Sequence, residues 1–141
     1  MTQKDKELLL KDLCARLPYR VKFAYNKNVY TVNGLDLIVT DEGYWEYAVT
    51  TKDTAPIEIN FIKPYLFPLS SMTEEQYKEF IITSGWDGDI EEIRRGKFSF
   101  IGYMGFDYVY DTIDWCNKNH FDYRGLIEKG LAIDATGLNI Y

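Results

Sequence analysis

The chain of 141 residues is 46% hydrophobic, 27% charged and carries a formal charge of −6. Such a chain is expected to form one domain that buries about 68% of its extended-state surface, without needing a disulfide or metal to hold a core. No apolar run approaches the ~18–20 residues that cross a bilayer, Met1-Thr2-Gln3-Lys4-Asp5-Lys6 is too charged to lead a signal peptide, and an aromatic content of 16% argues against extended disorder.

Residues 3–17 read as a helix. Leu10, Leu13, Cys14 and Leu17 follow the i, i+3, i+4, i+7 spacing of one apolar stripe, widened by Leu8 and Leu9. Thr2 is placed to cap it, Asp5 sits in its first turn and Pro18 stops it. From Tyr19 the period changes to two. Val21, Phe23 and Tyr25 alternate with Arg20, Lys22 and Ala24, Asn26-Lys27-Asn28 turns the chain, and Val29–Val32 returns. Asn33-Gly34 predicts a tight turn or a bulge. Strands follow at Leu35–Thr40 and Tyr44–Thr50, and a last one carries Ile57, Ile59 and Phe61.

Lys63–Ser71 is extended, proline-punctuated and apolar, as a segment packed along a sheet would be. Thr73 and Gln76 then make a capping box, Met72 and Tyr77 a hydrophobic staple, and Gly85 an end. Trp86–Gly96 is acidic and turn-rich. It fails a calcium-loop template, since Glu92 stands where glycine is needed and Phe98 where glutamate is. Arg94-Arg95-Gly96-Lys97 reads as a solvated turn, and Phe98–Ile101 as a strand. Gly102-Tyr103-Met104-Gly105 lacks phosphate-loop spacing. Helical spacing resumes near Tyr108, with Val109, Ile113 and Cys116 on one face. Asp122 is placed to cap a short helix that Gly130 ends, with Leu126 and Leu131 meeting in a Schellman motif.

Chemistry-bearing residues are few. His120 is the single histidine; a helix-end histidine acts as a C-terminal cap or, with Asp114 or Asp122 to orient it, as a general base. Asp107, Asp111 and Asp114 lie along one helical face, either as solvated surface or as oxygen ligands for Mg²⁺. No metal site or cofactor is expected. Cys14 and Cys116 read as free, buried thiols of a reducing compartment. The unusual number is the aromatic count, twelve Tyr, eight Phe and three Trp, which suits either strand packing or a contact surface.

Lys63–Glu75, Asp114–Ile127 and the opening Leu8–Tyr19 resemble stretches of small proteins from Bacteroides-type gut bacteria, which often lie in prophage or other mobile-element regions and carry no assigned activity. The resemblance implies a cytoplasmic bacterial or phage setting. It supplies no site residues.

The expected fold is α+β in a single domain, residues 1–141. It has an N-terminal helix (1–17), a small antiparallel SH3-like, partly open barrel sheet (18–65) and a mostly helical part packed on it (66–141). The leading function is a non-enzymatic protein-interaction module contacting an unidentified protein partner through Tyr65, Phe67, Tyr44 and Trp45. A nucleic-acid reading uses Arg20, Lys22 and Lys27 with Tyr25 or Tyr30 stacking on bases, against an unfavourable net charge. An enzyme reading uses Asp107, Asp111, Asp114 and His120 with a divalent metal. Self-association stays open; a membrane partner is not expected.

Overall fold

The computed structural model describes residues 1–95 and 106–141, apart from the side chains of 106 and 107. The strand expected at Phe98–Ile101, the Gly102–Gly105 segment, Gly96-Lys97 and the Asp107 side chain lie outside the described residues. The fold is mixed α and β, with a helix first, antiparallel sheets next and helices after them.

Helix α1 (Gln3–Arg16) starts on a full capping box, in which the Thr2 hydroxyl accepts from the Asp5 amide and the Asp5 carboxylate from the Thr2 amide. Its buried face departs from the apolar stripe. Leu9, Asp12, Leu13 and Arg16 are buried, while Leu10 is half-buried and Cys14 exposed. The spacing is helical, but half of the face is an ion pair that apolar periodicity overlooks.

Strands β1 (Lys22–Tyr25) and β2 (Asn28–Thr31) form a hairpin. Its turn is the two residues Asn26 and Lys27, both at positive φ (47° and 65°), the geometry whose twist matches a hairpin. After Val32 the chain enters β3 (Gly34–Val39), which pairs with β4 (Trp45–Thr50), which in turn pairs with β5 (Ile57–Glu58). The Asn33 amide bonds to the Thr50 carbonyl at 2.8 Å beside the Gly34–Thr50 pair, so two residues face one, as in a bulge. A side chain at Gly34 would meet the Thr50 hydroxyl at 2.8 Å. The strand expected through Phe61 stops at Glu58. A 3₁₀ turn over Ile59–Phe61 buries Ile59 and Ile62, three apart, and turns Phe61 outward.

Lys63–Pro68 is a strand, β6, that runs past the expected end of the sheet region. It pairs antiparallel with β1 and parallel with two short segments, β7 (Phe121–Asp122) and β8 (Ile133–Asp134). Two sheets result, one of β2, β1, β6, β7 and β8, the other of β3, β4 and β5.

Helix α2 (Glu74–Ser84) begins on the expected Thr73–Gln76 box and ends at Gly85, with φ 65°. Asp89 caps the short α3 (Ile90–Arg94), and α4 (Phe106–Lys118) packs against α2. Residues 123–130 form turns where a helix was expected, because Gly125 at φ 73° breaks the backbone five residues before Gly130 at φ 69°. The capping bonds nonetheless form. The Asp122 carboxylate accepts from the Leu126 and Ile127 amides, and the Leu131 amide reaches the Leu126 carbonyl at 2.9 Å.

Two apolar clusters fill the interior. Leu9 and Leu13 of α1 meet Phe23, Val49, Ile59 and Leu66 in one; Phe80, Ile93, Trp115 and Phe121 form the other. The buried Arg16 spans them. Its guanidinium donates to both Asp12 carboxylate oxygens (2.7 and 3.0 Å) and to the Phe121 carbonyl (2.7 Å), while Arg124 approaches Asp12 at 3.3 Å. The face of Tyr123 receives both guanidinium groups.

Both cysteines are free, but only Cys116 is buried, and burial pushes its thiol up to about 12 against the pull of Arg16. A thiolate is the reactive species. Native protein treated with a maleimide is therefore expected to take one label, at Cys14, and denatured protein two; intact-mass spectrometry reads the count.

Candidate functional site

The most exposed apolar side chains of the three-stranded sheet fall on one face. Leu37 lies directly opposite Tyr47, and Val39 opposite Trp45. Opposed residues and residues two apart share a face, so the four form one patch. Their exposures are 47%, 45%, 54% and 67%. The same face continues inward as Leu35 opposite Val49, where it joins the core. The sheet is thus covered at one end and bare toward the Asp41-Glu42-Gly43 turn.

Helix α1 borders the bare part. Gln3, Lys6, Glu7 and Leu10 stand across from Leu37 and Tyr44–Tyr47 around a groove of about 250 Å³. Lys6 bonds to the Glu46 carboxylate, which also accepts from Asn60 and from the Tyr47 amide. Burial opposes the Glu46 charge, but these bonds outweigh it and hold the carboxyl below its ordinary range. At the outer edge of β3, the Asp36 carboxylate accepts from the Leu37 amide at 2.8 Å.

The four residues expected to contact a partner divide evenly. Tyr44 and Trp45 line the groove. Tyr65 and Phe67, on β6, are half-buried, and Phe67 packs its ring against Phe121 and Tyr141 at 6.4 and 5.9 Å. Leu37, Val39 and Tyr47 complete the patch without being among the expected contacts. Their face is written in the alternations Leu35-x-Leu37-x-Val39 and Trp45-x-Tyr47-x-Val49, but not which part of it stays bare.

The residues of the nucleic-acid reading are spread out. Arg20 lies with Tyr30 and Lys52 around a small polar hollow, and Lys27 is exposed on the hairpin turn. Lys22 is engaged, its ammonium bonded to the Ile140 carbonyl at 2.8 Å. Tyr25 and Tyr30 are half-buried, 6.4 Å apart, and pack against the first cluster.

Those of the enzyme reading are also apart in environment. Asp111 and Asp114 are exposed on α4, and Asp114 accepts from the Tyr19 hydroxyl. Among the described residues no three His, Cys, Asp or Glu side chains gather where a metal ion would sit. His120 is buried, at φ 59° just past α4, and stacks on Tyr141 with ring centroids 3.8 Å apart. Its Nδ1 has no hydrogen-bond partner. Burial, reinforced by the charges of Arg16 and Lys22, lowers its pKa to about 4. A neutral ring cannot serve as the charged helix cap expected of it.

The Tyr141 hydroxyl accepts from the Lys22 amide at 3.0 Å and donates to the Tyr65 carbonyl at 2.8 Å, joining β1 to β6 just past their last pair. Although the residue as a whole is 44% exposed, enclosure of this hydroxyl pushes the phenol up to about 12.

No helix among the described residues is long and apolar enough to cross a membrane. Comparison of the chain with protein-family models, curated proteins and solved structures yielded no match.

Proposed function

We propose that this protein is a non-enzymatic interaction module that holds a protein partner on the bare face of β3 and β4, beside α1. The observation that carries the reading is the contiguous patch of Leu37, Val39, Trp45 and Tyr47. A sheet face this apolar, rimmed by polar residues and bordering a groove, is the anatomy of a contact surface. Aromatic anchors are the side chains that dominate such contacts. The proposed setting is the bacterial cytoplasm, in cells or mobile elements of the Bacteroides type, on the strength of the sequence resemblance alone.

The finer description of the sheets as an SH3-like, partly open barrel belongs to the same proposal. Two features support it. The passage from β2 through the bulge into β3 gives one strand to each sheet, and β6 returns to pair with β1. Such a frame keeps one sheet face turned outward while the other elements pack around it.

The test is a tagged capture from lysate of a Bacteroides-type host after nuclease treatment, with wild type beside a Trp45→Ser/Tyr47→Ser variant. The variant is expected to keep its unfolding free energy within about 1 kcal/mol, as exposed positions do, and to lose a protein that wild type holds stoichiometrically. Capture that is indifferent to the variant, or that vanishes only with nuclease, overturns the reading.

A further inference from the structure

We infer that the partner presents a basic segment, which sets an apolar side chain into the groove between α1 and β4 and its Lys or Arg residues on the carboxylates around it. The inference rests on the docking reading above and adds the chemistry of what docks.

Size is the first argument. At about 250 Å³ the groove is smaller than the ~300–1,000 Å³ that holds a small-molecule ligand. It suits a side-chain anchor instead. Charge is the second. The one cation lining the groove, Lys6, is spent on Glu46. Glu7 on the groove wall and Asp41 and Glu42 in the adjoining turn are exposed, as is Asp36, which belongs to the opposite face of β3 and bounds its free edge rather than the groove. Among the described residues no Lys or Arg pairs with any of the four. Lys4 and Lys11, exposed on α1, flank Glu7 in sequence but line no part of the groove, and Lys52, on the β4 side, lies past the opposite end of the hairpin, with Arg20. An acidic rim around an apolar groove selects for positive partners and speeds their arrival. It disfavours a nucleic acid. A second copy would bring the same acidic rim against itself.

The edge of β3 supplies the third argument. The Thr40 amide bonds to the Tyr44 carbonyl directly across the hairpin. Hydrogen-bonded pairs alternate along an antiparallel ladder, so Ile38 and Asp36 also bond inward while Leu35, Leu37 and Val39 turn their backbone groups outward. That is an edge an extended segment can join. The Leu37 amide is held by the Asp36 carboxylate. A guanidinium or ammonium drawing Asp36 toward itself releases that amide, so a basic segment opens the edge it occupies.

A phage-displayed library of random linear peptides, panned on the intact protein, tests this. Selected sequences are expected to combine Lys or Arg with an aromatic or branched aliphatic residue. Calorimetric affinity of the synthesised peptides is expected to fall about tenfold in Asp36→Lys/Glu42→Lys. The fall should be smaller in Asp36→Asn/Glu42→Gln and absent in the distant reversal Glu128→Lys. Neutral or acidic peptides that still require Trp45 and Tyr47 overturn the inference and leave the docking surface standing. Peptides indifferent to Trp45→Ser/Tyr47→Ser, or no selection at all, overturn both.

Discussion

Arg16→Ala is expected to cost about 3–5 kcal/mol of unfolding free energy, the usual result of breaking a buried ion pair from one side. Against a total of ~5–15 kcal/mol for an ordinary domain, that brings the protein near its limit. The guanidinium is fully buried, so its loss strands much of the Asp12 charge and leaves the Phe121 carbonyl only the Tyr123 amide, at 3.1 Å. Arg124, at 3.3 Å from Asp12, retains part of the compensation and keeps the loss within that range. Replacing both partners, Asp12→Leu with Arg16→Met, removes the charges together and is expected to recover most of the stability. Urea unfolding followed by circular dichroism measures all three proteins. A single-variant loss below about 1 kcal/mol would show that this pair is not the buried junction described.

The second large effect is on pH. His120 titrates near 4 in the fold and near its ordinary 6.5 when unfolded. Between those values the unfolded chain binds the extra proton, so stability rises with pH. The contribution is complete above about pH 6.5, falls as the pH drops toward 4, and is gone below it. At 1.36 kcal/mol for each unit, the swing is about 3 kcal/mol. Urea midpoints taken across this range should slope for wild type and flatten for His120→Asn, which has no titrating ring and tolerates the left-handed backbone. Equal slopes in the two proteins would mean that carboxylates, not this imidazole, govern the acid side.

Local signals in the sequence carried far. The Thr2 cap, the Thr73–Gln76 box, the first hairpin, the turn or bulge at Asn33-Gly34 and the Leu126–Leu131 contact are each written within a few neighbouring residues, and each formed, the cap as a full box and Asn33-Gly34 as a bulge. Long-range pairing was not written there. Nothing local marks Phe121-Asp122 or Ile133-Asp134 as strands, since each is two residues that acquire their partner only in β6. The buried face of α1 was misjudged for a related reason. Asp12 and Arg16 go inside because Phe121 and Arg124 await them, and hydropathy scores both as surface. At the site, Trp45 and Tyr44 were visible as aromatics beside a turn. Which half of the sheet α1 leaves bare depends on helix placement, which no periodicity reports.

Arg16 also bears on when the protein can fold. Its bond to the Phe121 carbonyl joins residues 105 apart in the chain. During synthesis α1 emerges well before Phe121, carrying a guanidinium that its own neighbours cannot fully satisfy. Contacts of such sequence separation form late and slow the search. The first cluster, with Leu126 and Leu131 among its members, likewise waits for the distal chain. The leading half of the molecule therefore reaches its final packing only after the ribosome has released the residues around 121–131, and a nascent chain stalled before them should remain open to protease.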